Sequence, residues 1–145
     1  MKIRATIAAI GTAAALSLTG AVLLPAAAGA GTVTHTLAFT AVQQAQAQFS
    51  ATVGAAEDKD VSKASKVIGY DVLRFTVNPT TGTATISVAV GMAGGFVYGV
   101  LPESSGPVTH GTVTGGTGTF AGATGTITAT NKTATRTAVT ITYHT

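Results

Sequence analysis

The segment "GTVTGGTGTFAGATGTITAT", residues 111–130, places six glycines among threonines and carries one aromatic residue, Phe120. Threonine and isoleucine favour β-strands, whereas glycine adopts positive φ angles and lets a neighbouring backbone approach closely. The segment therefore predicts a strand up to about Thr114, a sharp turn, and a second strand from about Gly122. We expect Phe120 to insert into the core beside that turn.

The same segment also contains a match to a nucleotide-binding pattern. Residues 116–121 fit G-x-G-x-x-A, which in dinucleotide-binding proteins opens a helix and is followed by an acidic residue for the ribose. Threonine-rich strand sequence surrounds the match instead, and no Asp or Glu occurs after Glu103. We therefore predict that the glycines shape a sheet rather than bind a nucleotide.

Alternation of apolar and polar residues extends the strand prediction along the chain. Between Ala45 and Val53, for example, alanine, phenylalanine and valine alternate with glutamine, serine and threonine, as in a half-buried strand. We predict eight strands, which span residues 32–41, 45–53, 66–77, 83–90, 95–101, 108–114, 122–130 and 135–143. The segment from Gly54 to Lys66 holds three acidic residues and three lysines and is predicted to be a solvated loop, with a lid over a cavity mouth as the alternative.

Eight short antiparallel strands close naturally into a ring, because closure removes the exposed edges of a small sheet. We therefore predict an all-β chain whose residues 31–145 form an eight-stranded antiparallel β-barrel. A β-sandwich is the alternative.

Residues 1–30 have the pattern of a secretory signal peptide. The charged "MKIR" precedes an apolar run from Ile7 to Leu24 and small residues up to Ala30, where we predict cleavage within two residues. A retained membrane anchor is the alternative. We expect a secreted protein with no membrane contact after cleavage. Loss of Lys2 and Arg4 would lower the formal charge from +3 to +1 and would leave no basic patch for nucleic acid.

Two longer stretches carry a resemblance to a known family. "VTGGTGTFAGATGTITA" resembles the late-strand signature of the allene oxide cyclase-like and dirigent-like barrels, and "SKVIGYDVLRFTVNPTTGTATISVAVGMAGGFVYGVL" is similar to the centre of their secreted actinobacterial members. The resemblance runs from about Leu37 to Tyr143. It implies a barrel that is often trimeric in plants and that acts without a cofactor. The plant relatives cyclise an unsaturated fatty-acid epoxide or direct the coupling of phenoxy radicals.

This chain departs from those plant relatives in being shorter and in having no cysteine. Disulfides and thiolate metal ligands are thereby excluded. The histidines have no metal-ligand spacing either, so we predict no metal site. The plant catalytic residues do not map individually onto this chain.

The candidate catalytic residues are polar groups on apolar strand faces. Asp71 shares a face with Leu73 and Phe75 and is the one carboxylate within the predicted strands. In a low-dielectric lumen its pKa would rise and it could exchange a proton with a ligand; an outward or backbone-bonded Asp is the alternative. His35 lies on a face with Leu37 and is the second candidate, with a core or strand-end role as its alternative.

The candidate ligand-binding residues are aromatic side chains on the predicted strands, where simple aromatic packing is the alternative. They are Phe39, Phe75, Phe96, Tyr98 and Tyr143.

We expect a cofactor-free cyclase, isomerase or stereo-directing protein that encloses a small apolar molecule in its lumen. A non-catalytic ligand-binding protein and a structural cell-surface barrel with a filled core are the alternatives. Residues 95–101 are apolar on both strand faces. One face must then lie outside the barrel, which predicts a homo-oligomer, with a trimer as the first expectation.

Overall fold

The computed structural model of the protein describes residues 32–145. These residues form eight strands and one short 3₁₀-helix. The strands are β1 (Thr34–Ser50), β2 (Val53–Val61), β3 (Val67–Val77), β4 (Ala84–Met92), β5 (Gly95–Pro102), β6 (Val108–Gly116), β7 (Thr124–Thr133) and β8 (Arg136–His144), and the helix spans Gly118–Phe120. The predicted signal peptide at residues 1–30 lies outside the described residues. Among the described residues, no helix has the length and hydropathy needed to cross a membrane.

The eight strands form a closed ring. Each strand pairs antiparallel with the next along the chain, and β8 pairs with β1 from His144 opposite Thr34 to Arg136 opposite Val42. The predicted all-β, eight-stranded antiparallel barrel is confirmed, and the β-sandwich alternative is wrong. Inward-facing residues of the strands, such as Val97 and Ile141, form the buried core.

Strand β2 occupies most of the segment that was predicted to be a solvated loop, so that prediction is wrong. Residues 53–61 pair with both β1 and β3. The charged side chains alternate across the strand: Glu57 is exposed, whereas Asp58 and Asp60 are buried. High charge content favours a loop only when all the charges are solvated. Here the period of two places some of them inside the barrel.

Strand β1 joins the two strands that were predicted at residues 32–41 and 45–53. Only its first part pairs with β8; after a register shift that follows Gln43, residues 45–50 pair with β2 alone. This second part is exposed on both faces, and Phe49 is 68% exposed. The prediction of a half-buried face there is wrong, because β8 does not extend far enough to cover it.

Phe120 closes one end of the barrel, as predicted from the glycine-rich segment. Its ring is buried and meets the ring of Tyr143 edge to face at 5.6 Å. The backbone N–H of Thr119 donates a hydrogen bond of 2.9 Å to the carbonyl of Gly94, which ties this turn to the β4–β5 turn. Gly118 has a φ of +60°, and a side chain there would collide with the Gly94 carbonyl oxygen. Glycine is therefore required by both conformation and close approach.

Candidate functional site

The inward-facing side chains leave a cavity of about 290 Å³ inside the barrel. Its rim includes Glu103 and Ser104 from the β5–β6 connection and Ala134 and Thr135 from the β7–β8 turn. Successive turns of an up-and-down barrel lie at alternate ends. The cavity therefore opens at the end opposite Phe120, and Phe120 closes the other.

Most of the cavity wall is apolar. Its larger apolar side chains are Phe39, Leu73, Phe75, Ile86, Leu101, Ile127 and Ile141. A wall of this kind excludes water from an apolar ligand and fixes it mainly by shape.

Small residues create the space. Ala41, Ala56 and Ala129 line the cavity where longer side chains would fill it. A Cβ atom at Gly99 would collide with the Cδ1 atom of Ile127, so this glycine gives Ile127 its place in the wall. A purely structural barrel with a filled core requires a lumen that is packed solid. This lumen holds a cavity instead.

Three aspartates from two neighbouring strands meet inside the barrel. Asp58 on β2 lies directly opposite Asp71 on β3, and both line the cavity. Asp60 pairs with Gly69, one step nearer the closed end, and is fully buried. A Cβ atom at Gly69 would collide with the carbonyl oxygen of Gly91 and would also come within 3.3 Å of the Oδ2 atom of Asp60, so the space beside this carboxyl is tight. Asp58 and Asp71 are only 8% and 3% exposed.

These carboxyls lack the donors that normally accompany buried acids. The Oδ1 atoms of Asp58 and Asp71 and both carboxyl oxygens of Asp60 have no hydrogen-bond partner while all three groups are ionised. Burial raises the pKa of Asp71 to about 8, and the nearby charges of Asp60 and Asp58 raise it as well. The protonated form of Asp71 is therefore favoured at neutral pH.

The other two aspartates respond to the same environment. Burial raises the pKa of Asp60 to about 6, although a hydrogen bond with Asp71 opposes the rise and the charge of Asp58 adds to it. Burial also raises the pKa of Asp58. Asp71 therefore keeps its proton to a higher pH than Asp60 does. The pair can give up or take a proton at the floor of the cavity.

The rim of the cavity adds uncharged polar groups and one further carboxyl. Gln43, Asn131 and Thr137 line it, and the Thr137 hydroxyl donates a hydrogen bond of 3.2 Å to Asn131 Oδ1. Glu103 is a third carboxyl on the cavity surface, and no lysine, arginine or histidine among the described residues lines this cavity. Within residues 32–145, no group of three His, Cys, Asp or Glu side chains has the geometry to hold a metal ion.

The predicted site residues divide into three groups: those that line the cavity, those at the closed end of the barrel, and those on its outer face. Asp71, Phe39 and Phe75 line the cavity, as the strand alternation predicted. Tyr143 is buried but lies at the closed end against Phe120, outside the cavity lining.

His35 lies at the closed end with Tyr143 and does not reach the cavity. The imidazole is exposed and stacks on the ring of Tyr143 at 5.2 Å. His35 therefore lies at a strand end, which was the alternative interpretation of this residue.

Phe96 and Tyr98 lie on the outer face of β5, so their predicted place in the lumen is wrong. The strand alternates, and Val97 and Gly99 occupy the inward positions. The two rings stack on each other at 6.3 Å and are 48% and 38% exposed. Apolar residues on both faces hide the direction of such a strand from sequence reasoning.

Sequence reasoning missed Asp58 and Asp60, and Asp71 is not the one carboxyl within a strand. The signal was present as an alternation of Ala56, Asp58 and Asp60. It was masked by Lys59 and Glu57 between them, which made the segment look uniformly charged.

No protein-family model matches the chain, and no curated protein matches it in sequence. Several solved structures share its fold. The pterocarpan synthase dirigent protein GePTS1 superposes with a TM-score of 0.69 at 16% identity, over 84% of this chain and 94% of that one. A pyocyanin demethylase gives 0.62 at 16% identity, over 75% and 99%. The exo-specific intermolecular Diels–Alderase AbnU gives 0.62 at 13% identity, over 79% and 97%.

These likenesses define the class of the molecule at the level of fold. The chain is a closed antiparallel barrel of the dirigent-like type. The resemblance carried by the glycine-rich segment is therefore confirmed for the fold.

Proposed function

We propose that the barrel binds a small, largely apolar molecule in its lumen and directs a reaction of that molecule without a cofactor, as a cyclase, isomerase or stereo-directing protein. The observation that carries this proposal is the pairing of two buried carboxyls, Asp58 and Asp71, with a mostly apolar cavity wall and a polar rim at the one open end. Related folds support it, since they include a dirigent protein, a Diels–Alderase and a demethylase.

The proposed chemistry needs only enclosure and a proton. The wall holds the ligand in one conformation and thereby removes much of the entropic barrier to a cyclisation or coupling. Protonated Asp71 then donates to an oxygen or nitrogen of the ligand, and the carboxylate that remains takes a proton back. A pKa near 8 suits this exchange at neutral pH.

The second candidate function is ligand binding without catalysis. It is favoured by the scarcity of polar groups in the deep wall, where Asp58 and Asp71 are the polar side chains and the rest are apolar. A carrier would use the carboxyls only to fix the orientation of its ligand.

The experiment that separates the two candidates begins with the natural ligand. Small molecules extracted from the purified protein are identified by mass spectrometry and then incubated with wild type and with Asp71→Asn. Catalysis predicts that wild type converts the compound and that Asp71→Asn lowers the rate by roughly 10²–10⁴-fold while binding remains. Glu57→Gln is the matched control, because Glu57 lies on the exposed face of β2.

Two results would decide against catalysis. A bound compound that wild type leaves unchanged would favour the carrier. Conversion at an unchanged rate by Asp71→Asn would remove Asp71 from the reaction even if the lumen is the site.

We also propose that the protein acts after export, with cleavage near Ala30, as the residues 1–30 pattern predicts. The mass of the protein recovered from culture medium tests this: a chain that begins at or near Gly31 supports it. Recovery of the full-length chain from the membrane fraction would contradict it.

We propose, in addition, that the protein assembles with further copies of itself through an apolar patch on the outside of β3 to β5. Phe96 on β5 pairs with Gly91 on β4, and the Phe96 ring lies against that glycine. A Cβ atom at Gly91 would be 2.9 Å from the ring. The exposed members of the patch are Tyr70, Val72, Phe96, Tyr98 and Val100. Such a continuous apolar surface favours a partner subunit.

A further inference from the structure

The ionisable side chains that line the lumen are all acidic. Asp58 and Asp71 lie at the floor of the cavity and Glu103 lies at its rim, while no basic residue of the described part of the chain lines it. The nearest basic side chains along these strands, Lys59 and Arg74, occupy the alternate, outward positions of β2 and β3. Residues 32–145 therefore supply no counter-charge to the cavity.

The two floor carboxyls have unused hydrogen-bonding capacity. Each is more than nine-tenths buried, and each has an Oδ1 atom with no donor in contact. A buried acceptor without a donor is costly, and the cost is recovered when a ligand supplies the donor. Neutral apolar ligands would leave these oxygens unsatisfied, and an anionic ligand would place like charges side by side.

The strand pairing brings the two carboxyls within reach of one group. Asp58 and Asp71 are directly opposite each other on adjacent strands, and such pairs have Cβ atoms about 4.5–5.5 Å apart. A single ammonium group carries three donors and can contact both side chains. Charge-assisted hydrogen bonds of this kind are about twice as strong as neutral ones.

We propose that the lumen selects organic cations: ligands with a protonated nitrogen on an apolar body, bound through that nitrogen by Asp58 and Asp71. The apolar body then lies against the wall between Phe39 and Leu101, toward the open end. This inference rests on the proposed function in one respect, namely that the lumen is the ligand site. It adds the chemical class of the ligand, and for such a ligand Asp71 acts in its ionised form, as an acceptor and base, rather than as the proton donor.

The test uses three probes that share one ring system. They are 2-naphthylmethylamine, 2-naphthalenemethanol and 2-naphthoate, which are a cation, a neutral molecule and an anion at pH 7. Calorimetric titration of the purified barrel measures their affinities. We expect the amine to bind about tenfold more tightly than the alcohol, and the naphthoate to bind most weakly.

Variants locate the effect. Asp58→Asn with Asp71→Asn should remove the amine preference while alcohol binding persists, because the apolar wall is unchanged. Glu57→Gln keeps the charge of the lumen and should retain the preference. If the double variant does not fold, the single variants are compared, and each should reduce the preference in part.

Proton release gives a second readout that does not depend on any variant. An ammonium beside Asp71 favours its ionised form, so amine binding should release protons, detected as a dependence of the binding enthalpy on the buffer. The ionisable groups that face Asp71 from its flanking strands are Asp58 and Asp60 on β2, whereas β4 presents Val90.

Each outcome has a defined meaning. Equal affinity for the three probes, or tightest binding of naphthoate, would overturn the cation inference and leave the lumen as a ligand site. A retained amine preference in the folded double variant would also overturn it. Failure of all three probes to bind would contradict the proposed lumen site itself, and the cation inference with it.

Discussion

The three aspartates inside the barrel lower the free energy of unfolding when they ionise, because each charge is then held away from water. Asp71 and Asp60 have pKa values raised to about 8 and about 6 from an ordinary value of 3.8, and the pKa of Asp58 is raised too. Over the interval between the ordinary and the raised values, the folded protein keeps protons that the unfolded chain has lost. The free energy of unfolding must therefore fall as the pH rises.

We accordingly expect stability to decrease from about pH 4 to about pH 8, by about 1.4 kcal/mol per pH unit for each proton so retained. The decrease should be steepest below pH 6, where Asp60 and Asp71 both contribute. Urea unfolding at a series of pH values measures it. Asp71→Asn should flatten the slope between pH 6 and 8 and raise stability at pH 8, whereas Glu57→Gln should not. A wild-type stability that is constant or rises over this range would contradict the burial of these acids.

At the scale of the element, β2 shows what a single sequence can and cannot predict. The closed antiparallel barrel and the plug at Phe120 followed from alternation, turn residues and glycines, which are local signals. The count of eight strands came out right through two errors that cancel, because β1 was divided into two predicted strands and most of β2 was predicted to be a loop. The strand at residues 53–61, β2, could not be predicted from these signals, because Asp58 and Asp60 are buried by neighbouring strands rather than by any property of their own segment. The inward direction of β5 was hidden for a related reason, since Val97 and Tyr98 are both apolar and only the closed sheet decides between them.

The turn between β6 and β7 allows a matched test of whether glycine is required at Gly118 because the backbone of Gly94 lies so close to it. Gly118 and Gly82 have φ angles of +60° and +69°, but a side chain at Gly118 would meet the Gly94 carbonyl, whereas Gly82 has nothing within 4 Å. Gly82→Ala should cost about 1 kcal/mol from backbone strain alone. Gly118→Ala should cost at least about 2 kcal/mol more, because the plug must move. Chemical denaturation measures both; equal costs would show that the turn is not held against β4–β5.

At the scale of the whole molecule, closure leaves the outer surface as the place for self-association. We expect light scattering to give a multiple of the chain mass, with three copies as the first expectation. Tyr98→Glu should shift the protein to monomer, because it places a charge in the centre of the apolar patch. Thr140→Glu is the control, since Thr140 is exposed on β8, across the barrel from β4. A monomeric wild type at micromolar concentration would contradict the assembly.

The lumen is the feature on which the account of function depends, and a crystal structure of the protein with 2-naphthylmethylamine tests it most directly. We predict the naphthalene ring inside the barrel, with its nitrogen at about 2.7–2.9 Å from carboxyl oxygens of Asp58 and Asp71. Density for the amine on the outer patch with the lumen empty, or a nitrogen that points away from both aspartates toward the open end, would contradict it.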